Sequence, residues 1–283
     1  MAPQKSLWCA FLVSLVMTLP STSGQDIPAT EEDPLHWQHG PTRAQMGDLA
    51  EVDIPAGFQF TGKEGCQLLL QAMQNTVDGS ELGIIMPQAE DADWFVVFEF
   101  SEIGYVKDDD KDKLDAAAIL DSIRQGTEAG NRERRSRGWP EMKVIGWEVP
   151  PQYDPATNNL EWAIRAESEG SPILNYNMRI LGRRGVMEAN LVVDPEDLSE
   201  VLPTFRSLIS GYRYTSGQKY AEFRAGDKIA QYGLTALVAG GAAGLALKTG
   251  LFKKFGKLIV VGVLGIGAAI KKLFGRGKAV EAH

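Results

Sequence analysis

Carboxylates are the side chains of this sequence with the clearest capacity for chemistry. Three are adjacent at Asp108, Asp109 and Asp110, and Asp154 stands in a turn-rich segment further along. Such groups act as general acids and bases or bind calcium. The glycine and terminal glutamate of an EF-hand loop are missing, and the run fits better as the start of a helix, with Asp112 as its N-cap. The candidate residues of a carboxylate-dependent enzyme remain Asp108, Asp109, Asp110 and Asp154.

Metal-binding and nucleophilic side chains are sparse. His36 and His39 lie in a proline-rich segment and the third histidine is His283, so exposed loop residues are predicted there. Cys9 lies in an apolar leader, and Cys66 shares the apolar face of a predicted helix, which favours a buried structural thiol. No phosphate-binding loop, serine-hydrolase elbow, zinc-protease motif or paired-cysteine motif is present. The sequence therefore predicts no catalytic residue, no cofactor-binding residue, no metal site and no cofactor.

A cluster of basic residues follows the helix predicted from Asp112 to about Asn131. Its members are Arg132, Arg134, Arg135 and Arg137. Positive charge near a helix C-terminus is favourable because it opposes the negative end of the helix dipole. A phosphate or anionic-headgroup site is the functional alternative, although no glycine-rich loop accompanies it.

The remaining patterns define the elements that must position these groups. Apolar alternation and β-branched residues predict strands, among them short ones at 52–55 and 58–60 and others at 83–86, 94–100, 142–149, 159–166, 173–181 and 186–193. Residues 101–106 are expected to pair with strand 94–100 as a hairpin. Helices are predicted at 65–73, after Asp112, and after Asp194, where a cap, a proline and acidic residues precede an apolar stripe that Gly211 ends. The predicted fold class is α+β, an antiparallel sheet packed by helices, with C-terminal membrane helices.

The chain has apolar runs near both ends. Residues 1–24 have Lys5, an apolar core at Leu7–Leu19 and small residues before Gln25, which predicts a cleaved signal peptide. Two further apolar runs, at 232–247 and 258–270, are shorter than the ~20 residues of a membrane span. Flanking lysines can snorkel and glycines permit close helix contact. We expect residues 231–283 to form a membrane anchor of one or two helices with basic flanks. A buried hairpin and an interfacial second run are the alternatives.

Charge is divided unevenly along the chain. Residues 25–227 contain 19 basic and 36 acidic residues, whereas residues 228–280 contain nine basic and no acidic ones. An acidic body repels nucleic acid, which binds proteins chiefly through its phosphates. The basic tail suits anionic lipid. The expected partners are therefore membrane lipid, through the C-terminal tail, and a protein of the envelope, with no nucleic acid.

Several segments in fixed order resemble one family of proteins. They are GYVKDDD at 104–110, GW at 146–147 with PPQYD at 150–154, NYNMRILGRRGV at 175–186, and GQKYAEF at 217–223. These segments are similar to the DUF2167 family, uncharacterised bacterial proteins predicted to be membrane-anchored, over roughly residues 47–274. The resemblance implies a Gram-negative source, an exported body and a C-terminal anchor. It implies no activity and no catalytic residues. The order of elements is also similar to the Mog1/PsbP-like sandwich.

The domain expectation is a signal peptide at 1–24, a flexible leader or edge segment at 25–46, an exported α+β domain at 47–230 and the anchor at 231–283. The resulting functional hypothesis is a non-enzymatic binding or interaction module. It is anchored in the inner (cytoplasmic) membrane with its body in the periplasm. A carboxylate-dependent envelope hydrolase or lipid-modifying enzyme is one alternative, and an accessory subunit of a membrane complex is the other.

Overall fold

The computed structural model describes residues 33–89 and 91–239 of the 283-residue chain. The strands are β1 Gln38–His39, β2 Thr42–Met46, β3 Ala50–Ile54, β4 Phe58–Gly62, β5 Glu81–Pro87, β6 Phe95–Ser101, β7 Lys143–Asp154, β8 Asn159–Ser168, β9 Ser171–Leu181, β10 Val186–Val193 and β11 Tyr212–Tyr214. The helices are α1 Lys63–Ala72, α2 Ala116–Ser136, α3 Leu198–Ser210 and α4 Leu234–Ala239, and short 3-10 helices lie at Lys111–Lys113 and Tyr220–Glu222.

Eight strands form one antiparallel sheet in the order β1-β4-β5-β6-β10-β9-β8-β7. A second, three-stranded sheet has the order β11-β3-β2. Every residue of the central strand β10 is buried, whereas edge strand β7 alternates between exposed and half-buried positions. This difference arises because layers cover both faces of the sheet's centre. The described body is thus an α+β sandwich, and the predicted antiparallel sheet packed by helices is confirmed.

The two faces of the large sheet have different coverings. On the first face, the small sheet and α3 pack over a core that includes Phe98, Tyr176 and Phe205. On the second face, α1 covers one end of the sheet through Leu69 and Leu70. Helices α2 and α4 cover the other end of the second face. These layers enclose three apolar clusters and leave a polar strip on the second face.

Helices α2 and α3 begin later than the sequence predicted. A 3-10 turn occupies 111–113, and Asp115 caps α2 by accepting from the backbone N–H groups of Ala117 and Ala118. The cap assigned to Asp112 is therefore wrong by three residues, because the chain must first turn to bring α2 onto the sheet. Residues 194–197 form turns before α3 begins at Leu198.

The boundaries of the body also differ from the sequence-based ones. Leu35 is buried, and β1 and β2 are edge strands, so this part of the stretch predicted as a flexible leader or an edge segment is the edge segment. At the other end, α4 is formed by residues assigned to the anchor, and its Leu234 and Leu237 are buried in the cluster beneath α2. Within residues 33–89 and 91–239, no helix is long and apolar enough to cross a membrane. Residues 1–32 and 240–283, which contain the predicted signal peptide and most of the predicted anchor, lie outside the described part.

Candidate functional site

A strap formed by residues 215–233 joins three of the sequence segments that carry the family resemblance. The backbone N–H of Arg183 donates to the carbonyl of Gln218 at 2.8 Å. The N–H of Ala230 donates to the carbonyl of Tyr105, and Tyr105 forms an isolated parallel bridge with Ile229. The segment 101–106 therefore pairs with the strap, through Tyr105. Among the described residues, it forms no hairpin with β6. That part of the sequence prediction is wrong.

The strap is held by one charged clamp. The Nε and Nη2 of Arg183 each lie 2.7 Å from an oxygen of Asp227, a bidentate arrangement that is only 16–17% exposed. The Arg183 guanidinium lowers the pKa of Asp227 to about 2, assisted by the backbone N–H of Arg224. Bidentate arginine–carboxylate pairs add geometric specificity as well as energy. The clamp therefore fixes the position of the strap relative to the turn between β9 and β10.

Aromatic rings supplement the clamp. Tyr105 stacks on Tyr220 with a centroid distance of 4.4 Å and contacts Phe223 at the same distance. The hydroxyl of Tyr220 donates to the carbonyl of Val106 at 2.9 Å. Burial and the neighbouring Tyr105 hold the pKa of Tyr220 well above its usual value. This phenol is consequently a fixed hydrogen-bond donor at neutral pH.

Beside the strap, the second face carries a chain of buried polar side chains, here called the polar network. The Oγ of Ser101 donates to Glu188 at 2.6 Å, and the other oxygen of Glu188 lies 2.8 Å from Nη2 of Arg179. The Nη1 of Arg179 donates to Asn190 at 2.7 Å, and the amide of Asn190 donates to Glu99 at 2.9 Å. All five are 8% exposed or less. These contacts run without a break from Ser101 at the end of β6, through β10 and β9, and back to Glu99 in β6.

This network is energetically costly unless its geometry is maintained. Removing ionised groups from water costs several kcal/mol each, which only close pairing offsets. The guanidinium of Arg179 also lies 4.8 Å from the ring centre of Trp162, while its Nε has no hydrogen-bond partner. Arg179 pairs directly with Glu188, and Glu99 joins the network through the amide of Asn190.

A cleft of about 410 Å³, here called the strap cleft, opens where the polar network reaches the strap. It is lined by Ser80, Phe100, Ser101, Glu102, Ile103, Lys228, Gln231 and Tyr232. Burial, with the negative charge of Glu188, raises the pKa of Tyr232 to about 12. Ser101 belongs to both the lining of the cleft and the network, so its hydrogen bond connects the cleft wall to the buried Glu188.

The four aspartates proposed from the sequence have separate structural partners. Asp108 accepts a hydrogen bond from the hydroxyl of Tyr153 at 3.2 Å. Asp110 accepts from the first N–H groups of α4, and Asp154 accepts from groups of its own turn. Asp109 is exposed. None of the four lines the strap cleft. In the part of the chain that the structure describes, no group of three or more His, Cys, Asp or Glu could hold a metal ion.

The arginine cluster at the end of α2 is largely engaged with the protein itself. Arg134 donates through Nη1 to the carbonyl of Gln74 and contacts the carbonyl of Pro140 through Nε. Arg135 pairs with Glu141, and Arg137 pairs with Glu133. These contacts support the structural interpretation of the cluster, as an ending for α2, over an anion site.

Residues of the polar network were missed by sequence reasoning, although one signal was available. In β9, Asn175, Asn177 and Arg179 occupy every second position of an otherwise apolar strand, and all three are buried. In β10, Glu188 and Asn190 repeat the same spacing. A polar residue at every second position of a strand predicts a polar face, which is ordinarily solvated. Because layers cover both faces of the sheet, this polar face is buried here instead of solvated.

The fold and the arrangement of motif segments define an α+β protein whose matched sequence runs through the strap and the polar network. The chain belongs to the DUF2167 family, described as a protein of unknown function, which matches residues 38–270. The match begins at β1. No curated protein matches the chain in sequence.

Solved structures with a similar arrangement include cyanobacterial PsbP from Synechocystis sp. PCC 6803. It is 14% identical with a TM-score of 0.40, and the match covers 66% of this chain and 97% of that one. A protein of unknown function, PA94, from Pseudomonas aeruginosa is 13% identical with a TM-score of 0.25, over 59% of this chain and 92% of that one. The immunity protein TplEi from the same organism is 8% identical with a TM-score of 0.26, over 61% and 75%.

Proposed function

We propose that this protein is a non-enzymatic binding module of the bacterial envelope, whose body binds a small polar molecule in the strap cleft. The observation that carries the proposal is the hydrogen bond from Ser101 to Glu188, which links the cleft wall to a buried charged network. The cleft volume of about 410 Å³ falls within the range of ~300–1,000 Å³ that small-molecule sites occupy. A buried network that leads to such a cleft orients a ligand at little additional entropic cost.

The lining of the cleft indicates the kind of molecule that fits. Lys228 and Glu102 bring charges of both signs to the cleft, and Gln231 adds an amide that donates and accepts. Phe100 and Ile103 contribute apolar surface. A ligand with both donors and acceptors around a small apolar body matches this composition better than a purely anionic or purely apolar one.

The proposal places the protein at the inner membrane with its body in the periplasm, exported by residues 1–24. Because α4 is buried in the body, the attachment to lipid belongs to residues 240–283 rather than to the whole of 231–283. Residues 240–280 contain eight basic and no acidic residues, which suits anionic headgroups. An envelope protein partner is compatible with the same placement.

Ligand binding is tested with the full-length protein extracted in detergent. A panel of small metabolites is scored by the shift of the thermal unfolding midpoint, because a ligand that binds only the folded state stabilises by about 2.7 kcal/mol at 100 times its Kd. We expect a hit that stabilises the wild type and Lys143→Ala, an exposed control, but not Lys228→Ala or Gln231→Ala. A hit that stabilises all four proteins equally, or no hit, contradicts the proposed site.

Location is tested separately in cells. Protease added to spheroplasts should digest the body, whereas intact cells should protect it, and high salt should release part of the protein if basic residues hold it to lipid. Protection of the body in spheroplasts contradicts the periplasmic placement, whatever the outcome of the ligand screen.

A further inference from the structure

A second depression lies on the first face of the sheet, between the β7–β8 hairpin and α3, and is here called the hairpin groove. Its volume is about 200 Å³ and its walls include Gln152, Asp154, Asn159, Glu161, Met178 and Arg206. It has no lining residue in common with the strap cleft. The groove is therefore independent of the function proposed above.

Three hydrogen bonds hold the charged wall of the groove together. The hydroxyl of Tyr176 donates to Glu161 at 2.8 Å, and Nη2 of Arg206 donates to Glu161 at 3.1 Å and to the Tyr176 oxygen at 3.0 Å. Tyr176 is only 1% exposed, and burial together with Glu161 holds its pKa well above the usual value, so it remains a donor. This closed triangle of three hydrogen bonds fixes the direction of both Glu161 and Arg206.

The opposite wall is equally well ordered. Asp154 accepts from the N–H of Ala156 at 2.9 Å and from the hydroxyl of Thr157 at 2.9 Å. These two donors lower the pKa of Asp154, so the side chain is a carboxylate at neutral pH. The backbone N–H of Thr157 also donates to Asp154, and because an ionised carboxylate has about four lone-pair sites, acceptor capacity remains for a ligand.

An unsatisfied acceptor lies between the two walls. The Oδ1 of Asn159 is buried and has no hydrogen-bond partner. Leaving such an acceptor unpaired is unfavourable, and a donor on a ligand would satisfy it. A ligand in the groove would reach this oxygen through a rotation of the Asn159 amide about its terminal torsion, which is broad for such groups. The position of an orphan acceptor in a concave polar wall is evidence for a ligand rather than for a purely structural hairpin.

We infer that the hairpin groove binds one neutral, polyhydroxylated ring, which is the chemistry of a sugar unit. Asp154, Asn159 and Glu161 present acceptors to the groove, whereas Arg206 presents donors, and a hydroxyl group matches both. An ammonium ligand would face Arg206, and a carboxylate or phosphate would face Asp154 and Glu161. The volume of the groove equals the volume that about seven molecules occupy in liquid water, at ~30 Å³ each, and this size suits a single ring. Met178 offers an apolar contact for the C–H face of that ring.

The inference is tested by saturation-transfer NMR with the full-length protein in an amine-oxide detergent, which has no sugar headgroup. The probes are glucose, galactose, mannose and N-acetylglucosamine, with glucosamine and glucuronate as charged analogues. We expect saturable binding of at least one neutral sugar and at least tenfold weaker binding of both charged analogues. Binding of the charged analogues as tightly as the neutral ones overturns the inference.

Two variants separate the groove from the fold. Asn159→Val should abolish sugar binding while the unfolding midpoint stays level or rises, because it removes an unpaired acceptor. Thr42→Val, on an exposed edge strand, should change neither. Unchanged binding in Asn159→Val, a lowered midpoint there, or no sugar signal in the wild type overturns the inference. A linear oligosaccharide of the bound sugar identifies the source. At least tenfold tighter binding than the monosaccharide indicates a glycan chain, and equal binding indicates a free sugar.

Discussion

The guanidinium of Arg179 lies 2.8 Å from the carboxylate of Glu188, and both residues are 4% exposed. The two residues face each other on β9 and β10, where the strand register pairs them directly. Ser101 holds the second carboxylate oxygen of Glu188 from β6. One ion pair therefore connects three strands and ends at the wall of the strap cleft.

Replacement of Arg179 by Met should destabilise the protein severely. The change leaves Glu188 buried without its charged partner, and breaking a buried pair in this way costs about 3–5 kcal/mol. Urea unfolding of the full-length protein measures the effect. Arg165→Met is the matched control, because its pair with Glu148 is 40% and 31% exposed and such pairs contribute about 0–1 kcal/mol. Similar losses in the two variants would contradict the role assigned to the network.

Replacement of Asp110 by Ala should loosen α4. Although partial burial acts to raise it, the N–H groups of Thr235 and Leu234 hold the pKa of Asp110 below its usual value, so a carboxylate caps this helix. Loss of a capping side chain costs about 0.5–2 kcal/mol, and Asn is nearly as good a cap as Asp. Denaturant unfolding should rank Asp110→Ala below Asp110→Asn. The neighbouring, exposed Asp109→Ala should behave as wild type, and a loss of stability there equal to that of Asp110→Ala would refute the cap.

Glycine at position 104 is required by a close approach as well as by backbone angle. Gly104 has φ +100°, and a Cβ there would lie 2.6 Å from the carbonyl oxygen of Lys228 in the strap. Gly138 has φ +67° with open space around it, so an alanine there meets no close contact. Its cost is that of the positive φ alone, about 1–2 kcal/mol for a non-glycine residue. Gly104→Ala should lose more stability than Gly138→Ala and should expose the strap to limited proteolysis. Equal losses, with no new cleavage in the strap, would show that the contact with Lys228 is unimportant.

The Arg183–Asp227 clamp should make stability depend on pH in the acid range. The pKa of Asp227 falls from 3.8 to about 2 on folding, because Arg183 favours the ionised form. A lowered folded-state pKa contributes stability above pH 4 that is lost as the pH falls toward 2. The unfolding free energy of Asp227→Asn should therefore decline less over this interval than that of the wild type. Asp121→Asn, at an exposed position, is the control and should keep the wild-type slope of unfolding free energy against pH. A wild-type slope in Asp227→Asn as well would contradict the clamp.

Local patterns in the sequence were sufficient for the class of the fold. Apolar stripes and alternation located α1, α3 and the long strands β8, β9 and β10, because periodic burial is written into neighbouring residues. The boundaries were less accurate. The start of α2 and the strand nature of residues 38–46 depend on contacts with distant parts of the chain, which a local window does not contain.

The sequence by itself determined the α+β class, the acidic body, the basic tail and the membership of the DUF2167 family. Only the tertiary structure decided that Arg179 meets Glu188 and Ser101, and that Asp110 caps a helix that begins 124 residues later. The reason is physical. Side-chain periodicity reports how each segment is buried, whereas strand register and the path of the strap decide which polar groups share an interior, and those depend on the whole packed chain.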